Sequence, residues 1–209
     1  MIQFRQQLIA AYEDYKYLIN RGYNRKPALD LVTARYNLTS KERLLLYRCI
    51  HTDSEVLNIK SKSVNNPDKI VLDGYNLGVT LLSLMYNDEV FLCDDGFFRD
   101  LGLGKRKENP EIFDALLILS EYIITKLNLT KFEIILDSQI SFSGELSKQL
   151  RERGLTVRTE KRPDAELILS REVIASNDFV ILSKAFKVFN LLELIAKDSN
   201  YNVIKFPPS

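Results

Sequence analysis

The C-terminal two-thirds of the chain repeats one pattern, a short apolar run rich in β-branched residues that ends in an acidic residue. The runs and their ends are 69–72 into Asp73, 89–93 into Asp94 and Asp95, 132–136 into Asp137, and 172–176 into Asn177 and Asp178. Longer amphipathic segments separate them, an alternation typical of an α/β fold with a parallel sheet. Because parallel strands end at one edge of a sheet, we expect Asp73, Asp137 and Asp178 to converge, with Asp94 or Asp95 nearby.

A cluster of this kind has a characteristic chemistry. Carboxylates held close together repel, so the cluster is stable only if a cation neutralises it or some carboxyls hold a proton. A ligand set made only of oxygens favours Mg²⁺ or Mn²⁺. The usual reaction at such a site is phosphoryl transfer with a metal-activated water. A single Asp after a strand is more commonly a helix N-cap, but four such residues weaken that interpretation.

The composition narrows the possible chemistry further. The 209 residues include one histidine, His51, so catalytic histidine pairs and histidine-rich metal sites are excluded and we expect catalysis to rest on carboxylates. Cys49 and Cys93 are far apart in sequence and lack the spacing of metal ligands, so we expect two reduced, buried thiols and no zinc. The chain has no apolar run long enough for a membrane span and no secretory signal, which predicts a cytoplasmic protein.

The N-terminal part, residues 1–65, has helical periodicity. A stripe of apolar residues from Phe4 to Leu18 predicts a first helix, and a second should follow Asn24. Residues 39–42 form a capping box that predicts a third helix starting at Ser40. The polar stretch 52–68 is interpreted as a linker to a second domain at residues 66–209.

Charge divides in the same way as the predicted domains. Residues 1–65 hold 11 Lys and Arg against 6 Asp and Glu, a net charge of +5, whereas the remainder holds 18 against 22, a net charge of −4. This asymmetry suits an anionic partner that meets a cation-binding site. The basic residues of the predicted helices permit a helix-turn-helix-like module or an ordinary solvated face. They are Arg25, Lys26, Arg35, Lys41, Arg43 and Arg48.

Three segments and one further aspartate also resemble a known family. Residues 70–77, with Asp73 and then Asn76, resemble the opening of PIN-like nucleases of the NYN type, and residues 176–178 resemble their late strand-end motif. Residues 163–167 resemble the helix start that supplies an acidic ligand, and Asp137 matches the middle strand-end Asp. Over nearly the full chain, the sequence is similar to an uncharacterised, mainly archaeal family with a helical region before a PIN-like domain.

The resemblance implies a PIN-like three-layer α/β/α domain preceded by a small all-α module. It also implies Mg²⁺- or Mn²⁺-dependent hydrolysis of RNA or, less often, DNA, with Asp73, Asp137, Asp164 and Asp178 as catalytic metal ligands. The family's second acidic residue on an early helix has no obvious match. The candidates for that position are Asp95, Asp100 and Glu111.

Several polar side chains are candidates for binding substrate. They are Asn76, Arg99, Lys105, Arg106, Ser138, Ser143, Lys161 and Arg162. Arg99, Lys105 and Arg106 belong to a glycine-containing basic loop, either a grip on phosphates or an ordinary surface loop. The serines either bind a phosphate at a helix N-terminus or cap that helix. Helices are expected at residues 110–127, 145–153 and 186–196, with a closing strand at 201–206.

Three hypotheses about function follow. The first is a metal-dependent nuclease, with RNA a better expected substrate than DNA. The second is a non-catalytic module that binds nucleic acid at the same edge. The third is a phosphatase or Toprim-like phosphotransferase, but the Asp-x-Asp nucleophile pattern of the usual Asp phosphatases is absent from residues 73–76. Whether the chain forms a homodimer stays open.

Overall fold

The computed structural model describes residues 2–102 and 109–208. Its elements are α1 (Gln6–Asn20), α2 (Arg25–Arg35), α3 (Ser40–Cys49), α4 (Asp53–Lys62), β1 (Ile70–Asp73), α5 (Gly74–Met85), β2 (Val90–Leu92), β3 (Phe98–Asp100), α6 (Ile112–Thr125), β4 (Phe132–Asp137), α7 (Ser143–Glu152), β5 (Val157–Glu160), α8 (Pro163–Leu169), β6 (Val173–Ala175), α9 (Phe179–Lys184), β7 (Lys187–Val188), α10 (Leu191–Asp198) and β8 (Ile204–Lys205). None of the helices described is long and apolar enough to cross a membrane.

The main sheet has five strands in the order β5–β4–β1–β6–β7, and every neighbouring pair is parallel. This confirms the α/β fold with a mostly parallel sheet. β1 is the central strand, with β4 on one side and β6 on the other. Because all three run in the same direction, their carboxyl ends lie at one edge of the sheet, where ligands of open α/β sheets bind.

Alternate residues of β1 pack into two different cores, as the two-residue period of a strand requires. Ile70 and Leu72 join a large cluster with residues of α5, α6 and α10. Val71 joins a smaller cluster with residues of α4, α8 and α9 on the opposite face. The sheet is therefore covered by helices on both faces, which gives three layers.

β2, the run that ends before Asp94 and Asp95, is not part of the main sheet. It belongs to a second sheet of order β3–β2–β8, in which β2 pairs antiparallel with β3 and parallel with β8. The prediction that the run 89–93 ends at the same edge as β1 is therefore wrong. The reason is long-range pairing: β2 is followed within a few residues by β3, which folds back on it as a hairpin.

Two other expectations need correction. Residues 52–68 are not an irregular linker, because 53–62 form α4, and Thr52 and Glu55 cap it with a second capping box. Val56 and Ile59 are buried, so this polar segment still has an apolar side that packs. The helix expected at 186–196 is divided into β7 and the shorter α10, because β7 pairs with β6.

The N-terminal helices share a core with the smaller sheet. The capping box at Thr39 and Glu42 starts α3 at Ser40, which confirms that prediction. Residues of α1, α2 and α3 form a cluster with Phe91 and Phe206. The same packing brings Cys49 at the end of α3 to Cys93 after β2, with their Cα atoms 4.4 Å apart, and the two form a disulfide. Both are buried, but the expectation of reduced thiols is wrong.

Gly74 allows the chain to turn directly from β1 into α5 against the neighbouring strand. A Cβ atom at this position would lie 2.6 Å from Leu136 Cδ2 and 3.1 Å from the main-chain oxygen of Ile135. The second of these neighbours is backbone and cannot rotate away. The absence of a side chain at Gly74 therefore fixes how closely α5 and the preceding Asp73 approach β4.

We expect Gly74→Ala to lower the free energy of unfolding by about 1–3 kcal/mol, because the added methyl group overpacks the contact with β4. The matched control is Gly144→Ala in α7, where, apart from its own helix turn, no atom of the described residues lies within 4 Å of the added Cβ, and stability should be unchanged or slightly higher. Urea denaturation of both variants measures the difference. Equal effects of the two substitutions would contradict this account of Gly74.

Candidate active site

Three of the strand-end aspartates lie at the same edge of the main sheet. Asp73 ends β1 and pairs in register with Ile135 of β4, and Asp137 ends β4 two residues further on. On the other side of β1, Leu72 pairs with Ala175 of β6, and Asp178 follows that strand. The central and two flanking strands therefore each deliver one aspartate to this edge.

Asp73 is the most buried of these carboxylates, with 5% of its surface exposed. Its Oδ2 atom accepts hydrogen bonds from Ser176 Oγ at 2.6 Å and Asn76 Nδ2 at 2.7 Å. Burial raises the pKa of Asp73 to about 6; the two hydrogen bonds act in the opposite direction. Since both donors use Oδ2, the Oδ1 atom remains for another partner.

Asp164 and Asp178 belong to the same electrostatic group as Asp73. Burial is the largest cause of the raised pKa of Asp73, and the negative charges of Asp178 and Asp164 raise that pKa further. Asp164 is in the first turn of α8, directly after Pro163. The structure thus brings together the aspartates after β1 and β6 and the one that starts α8.

Asp178 also caps α9, as expected for a single Asp after a strand. Its Oδ1 atom accepts from the backbone N–H groups of Val180 at 2.8 Å and Ile181 at 3.1 Å. These bonds fix the carboxylate at the sheet edge and both use Oδ1. Capping and a second role through Oδ2 are therefore compatible.

Asp137 is positioned beside the first turn of α5. Its Oδ1 accepts from the backbone N–H of Gln139 at 2.8 Å. Burial raises the pKa of Tyr75 to about 12, and the charge of Asp137 contributes to that shift. Asp137 thus lies on the Tyr75 side of the edge, whereas Asp164 and Asp178 act on Asp73.

The residues 2–102 and 109–208 contain one group of three potential metal-binding side chains with ligand atoms within 4.8 Å of one another, and it is His51, Asp94 and Asp95. The charges of its carboxylates are already compensated. Asp94 binds Lys16 Nζ at 3.1 Å and His51 Nδ1 at 2.7 Å. Burial alone would raise the pKa of Asp95, but the charge and hydrogen bonds of Arg99 outweigh it and lower that pKa. Both carboxylates of this group are therefore already paired with cations, and Lys16 is shared with Asp53, whose Oδ1 lies 2.9 Å from its Nζ.

The Asp73 group fits a hard divalent cation in its donor chemistry. Its ligands are carboxylate oxygens, and ionisation of the buried Asp73 is opposed by two neighbouring carboxylates. A cation would remove that opposition. The four aspartates do not meet the 4.8 Å spacing described above, so they would have to draw together around the ion.

The predicted ligand Asp95 and the predicted phosphate-binding residue Arg99 neutralise each other in a buried ion pair, with Arg99 Nη1 2.9 Å from Asp95 Oδ1. Asp95 is therefore not available as a ligand unless that pair breaks. Of the other candidates for the missing acidic position, Asp100 accepts from Thr80 Oγ1 at 2.8 Å. Glu111 is bound by Asn109 Nδ2 at 2.7 Å.

The remaining residues predicted to bind substrate lie in different places. Asn76 lies at the edge of the sheet and donates a hydrogen bond to Asp73. Ser138, Lys161 and Arg162 are exposed near the end of β5 and the start of α8, whereas Ser143 is buried at the start of α7. Lys105 and Arg106 lie outside the described residues.

A cavity of about 530 Å³ lies between the N-terminal helices and this edge of the sheet. Residues from both parts of the chain line it, among them Arg25, Tyr47 and Arg48 from the helices and Asn76, Thr80, Arg99, Asn177, Asp178 and Phe179 from the α/β part. Tyr47, Thr80 and Phe179 are not among the site residues predicted from the sequence, and Arg25 and Arg48 were predicted only as part of a helix-turn-helix-like module or a solvated face. No local pattern marks these residues, because the cavity exists only where two distant segments meet.

The chain matches two family models and one archaeal relative. Residues 61–194 match the family described as Domain of unknown function (DUF5616), and residues 7–62 match the family described as Protein of unknown function (DUF434). Over 203 residues the chain is 37% identical to Uncharacterized protein MJ0935 of Methanocaldococcus jannaschii. The aligned region covers 91% of this chain and 96% of the relative. The chain therefore belongs to the DUF5616 family. No solved structure matches it.

The raised pKa of Asp73 predicts how stability depends on pH when no metal is present. The protonated carboxyl contributes stability that is fully present below its ordinary pKa of 3.8 and is lost as the pH rises through about 6. Asp73→Asn removes this titration. In EDTA, the free energy of unfolding of the variant relative to wild type should therefore increase between pH 4 and pH 8, by up to about 3 kcal/mol. A relative decrease over that range in urea denaturation would show that Asp73 is not destabilised by its charge.

Proposed function

We propose that this protein is a metal-dependent nuclease that hydrolyses phosphodiester bonds, with RNA as the preferred substrate. The observation that carries the proposal is the buried Asp73, whose ionisation is opposed by burial and by the charges of Asp164 and Asp178. Carboxylates in this arrangement are costly unless they hold a cation or a proton. Perturbed carboxylates beside a cavity are a frequent feature of functional sites.

In this proposal, Asp73, Asp137, Asp164 and Asp178 hold Mg²⁺ or Mn²⁺. When bound, the cation supplies an activated water and stabilises the charge that develops on the phosphate. Asn76 and Ser176 act as positioning residues, because both donate to Asp73 Oδ2. These two bonds fix the orientation of the carboxylate and leave its Oδ1 atom for the cation. The hydrogen bonds from the start of α9 hold Asp178 in the same way.

The cavity beside the aspartates supports a nucleic acid as substrate. Arg25 and Arg48 line it together with Asp178, so cationic groups and one of the candidate metal ligands face the same space. Guanidinium groups are the preferred partners of phosphates in proteins. We place this activity in the cytoplasm.

The second candidate is a non-catalytic module that binds nucleic acid at this edge. The capping role of Asp178 favours it, because capping by itself accounts for the position of one of the four aspartates. The two candidates differ in one measurable property, which is whether a divalent cation makes the protein cleave what it binds.

The decisive measurement is cleavage of end-labelled single-stranded RNA, structured RNA and single-stranded DNA in Mn²⁺, in Mg²⁺ and in EDTA. We expect wild type to cleave RNA only with metal. Asp73→Asn should lower the rate by at least about 100-fold, and Ser176→Ala, which removes only a positioning hydrogen bond, by about 10-fold.

The matched control for this experiment is Asp68→Asn. Asp68 is exposed two residues before β1, at the opposite end of the strand from Asp73. This variant should cleave at the wild-type rate. Wild type that binds RNA and never cleaves it would favour the non-catalytic module, and equal cleavage by wild type and Asp73→Asn would exclude the proposed site.

A further inference from the structure

We propose that the cavity between the N-terminal helices and the sheet edge binds one nucleotide, with its base beside Tyr47 and Phe179 and its phosphate beside Arg25 and Arg48. The volume of about 530 Å³ is within the usual range for small-molecule sites, roughly 300–1,000 Å³. The lining combines aromatic rings, cations and amide groups. This combination suits a ligand with a flat ring at one end and an anion at the other.

Tyr47 and Phe179 supply the aromatic surface. Tyr47 is 51% exposed although it lines the cavity, so its ring is accessible to a ligand. Phe179 stacks on the ring of His51 with centroids 3.9 Å apart, which fixes its orientation. Stacking on such rings is the sequence-tolerant way in which proteins hold single nucleotides.

Arg25 supplies the positive charge. Its Nη2 atom donates to the main-chain oxygens of Tyr47 at 2.7 Å and Ile50 at 2.9 Å, and its guanidinium carbon lies 5.4 Å and 5.2 Å from the ring centroids of Tyr47 and Phe179. Within the described residues no carboxylate lies within 4.0 Å of this guanidinium, and its Nε atom is buried without an acceptor. The charge is therefore fixed in place and uncompensated by an ion pair.

Hydrogen bonds hold the acidic residues of the cavity in place without cancelling their charges. Glu55 Oε2 accepts from the backbone N–H of Thr52 at 2.7 Å as part of the α4 capping box. Asp178 accepts from the start of α9. Arg48 donates to the main-chain oxygen of Asp100 at 2.6 Å and lies 3.9 Å from its carboxylate. Of the three arginines that line the cavity, Arg25 is the one that has no carboxylate within 4.0 Å in the described part of the chain.

Asn177 offers a polar contact to the base. It is 7% exposed, and its Nδ2 atom donates to Thr80 Oγ1, which in turn donates to Asp100 Oδ2 at 2.8 Å. This chain of hydrogen bonds fixes the amide and assigns its nitrogen to Thr80. The amide oxygen and the second N–H of Asn177 are then the groups left for a ligand.

The cavity adjoins the aspartate group, because Asp178 and Asn76 line the cavity and Asn76 donates to Asp73. A nucleotide bound here would have a neighbouring phosphate near Asp73 in a longer strand. That link to cleavage rests on the proposed nuclease function, whereas nucleotide binding itself does not.

The experiment is calorimetric titration of the full chain with AMP, GMP, CMP and UMP, with adenosine and inorganic phosphate as partial ligands, in EDTA and in Mg²⁺. At least one monophosphate should bind, and AMP should bind more tightly than adenosine or phosphate. Tyr47→Ala should weaken binding about tenfold. The matched control is Tyr17→Ala, since Tyr17 is 59% exposed on α1 with the guanidinium of Arg21 5.1 Å from its ring, away from the cavity.

Two substitutions of one exposed residue test the role of charge. Val180 lines the cavity and is 48% exposed, so a longer side chain is tolerated there. Val180→Glu should weaken AMP binding at least tenfold, whereas Val180→Lys should preserve or strengthen it. Asp73→Asn should still bind AMP, so a failure of the nuclease proposal leaves this result unaffected. No binding of any monophosphate in either condition, or equal effects of Tyr47→Ala and Tyr17→Ala, would overturn the proposal.

Discussion

The burial of one carboxylate, that of Asp73, organises the candidate site. An ionised carboxylate is costly to bury, and Asp73 is held at the end of the central strand by hydrogen bonds from Ser176 and Asn76. Ser176 follows β6, and Asn76 is in the first turn of α5, so three elements meet at one oxygen atom. Gly74 permits this meeting because it lets α5 begin directly against β4. The geometry of this edge of the sheet therefore depends on the Asp73 carboxylate, whose burial in the ionised form is by itself unfavourable.

The N-terminal helices pack against the α/β part and form one side of the cavity at this edge of the sheet. Their core includes Phe91 and Phe206 of the α/β part, and the disulfide between Cys49 and Cys93 joins α3 to the segment after β2. Lys62 at the end of α4 donates to the main-chain oxygens of Leu182 and Ser183 in α9. These contacts fix α2 and α3 above the sheet, which is what encloses the cavity. Neither part of the chain would form it alone.

The features that were predictable from sequence are those with a local cause. Strands that end in Asp, and the capping box that starts α3, involve residues within a few positions of each other, so the pattern and the structure coincide. The placement of β2 in a second sheet depends on pairing with β3 and β8, and β8 lies more than 100 residues away. The cysteine pair depends on the packing of α3. The signals for these features are distributed over the fold and cannot be read from spacing.

The same distinction applies to charge. The net charge of +5 over residues 1–65 suggests a basic surface, yet four of the six basic residues singled out there lie close to carboxylates. These pairs are Arg35 with Asp14, Lys41 with Glu89, Arg43 with Asp30 and Arg48 with Asp100. The exposed pairs among them stabilise little, but all four lower the local potential that an approaching anion meets. Arg25 differs because its hydrogen bonds go to main-chain oxygens, which hold the guanidinium without cancelling its charge. The position of one cation in the cavity therefore says more about an anionic ligand than the charge of the whole helical part.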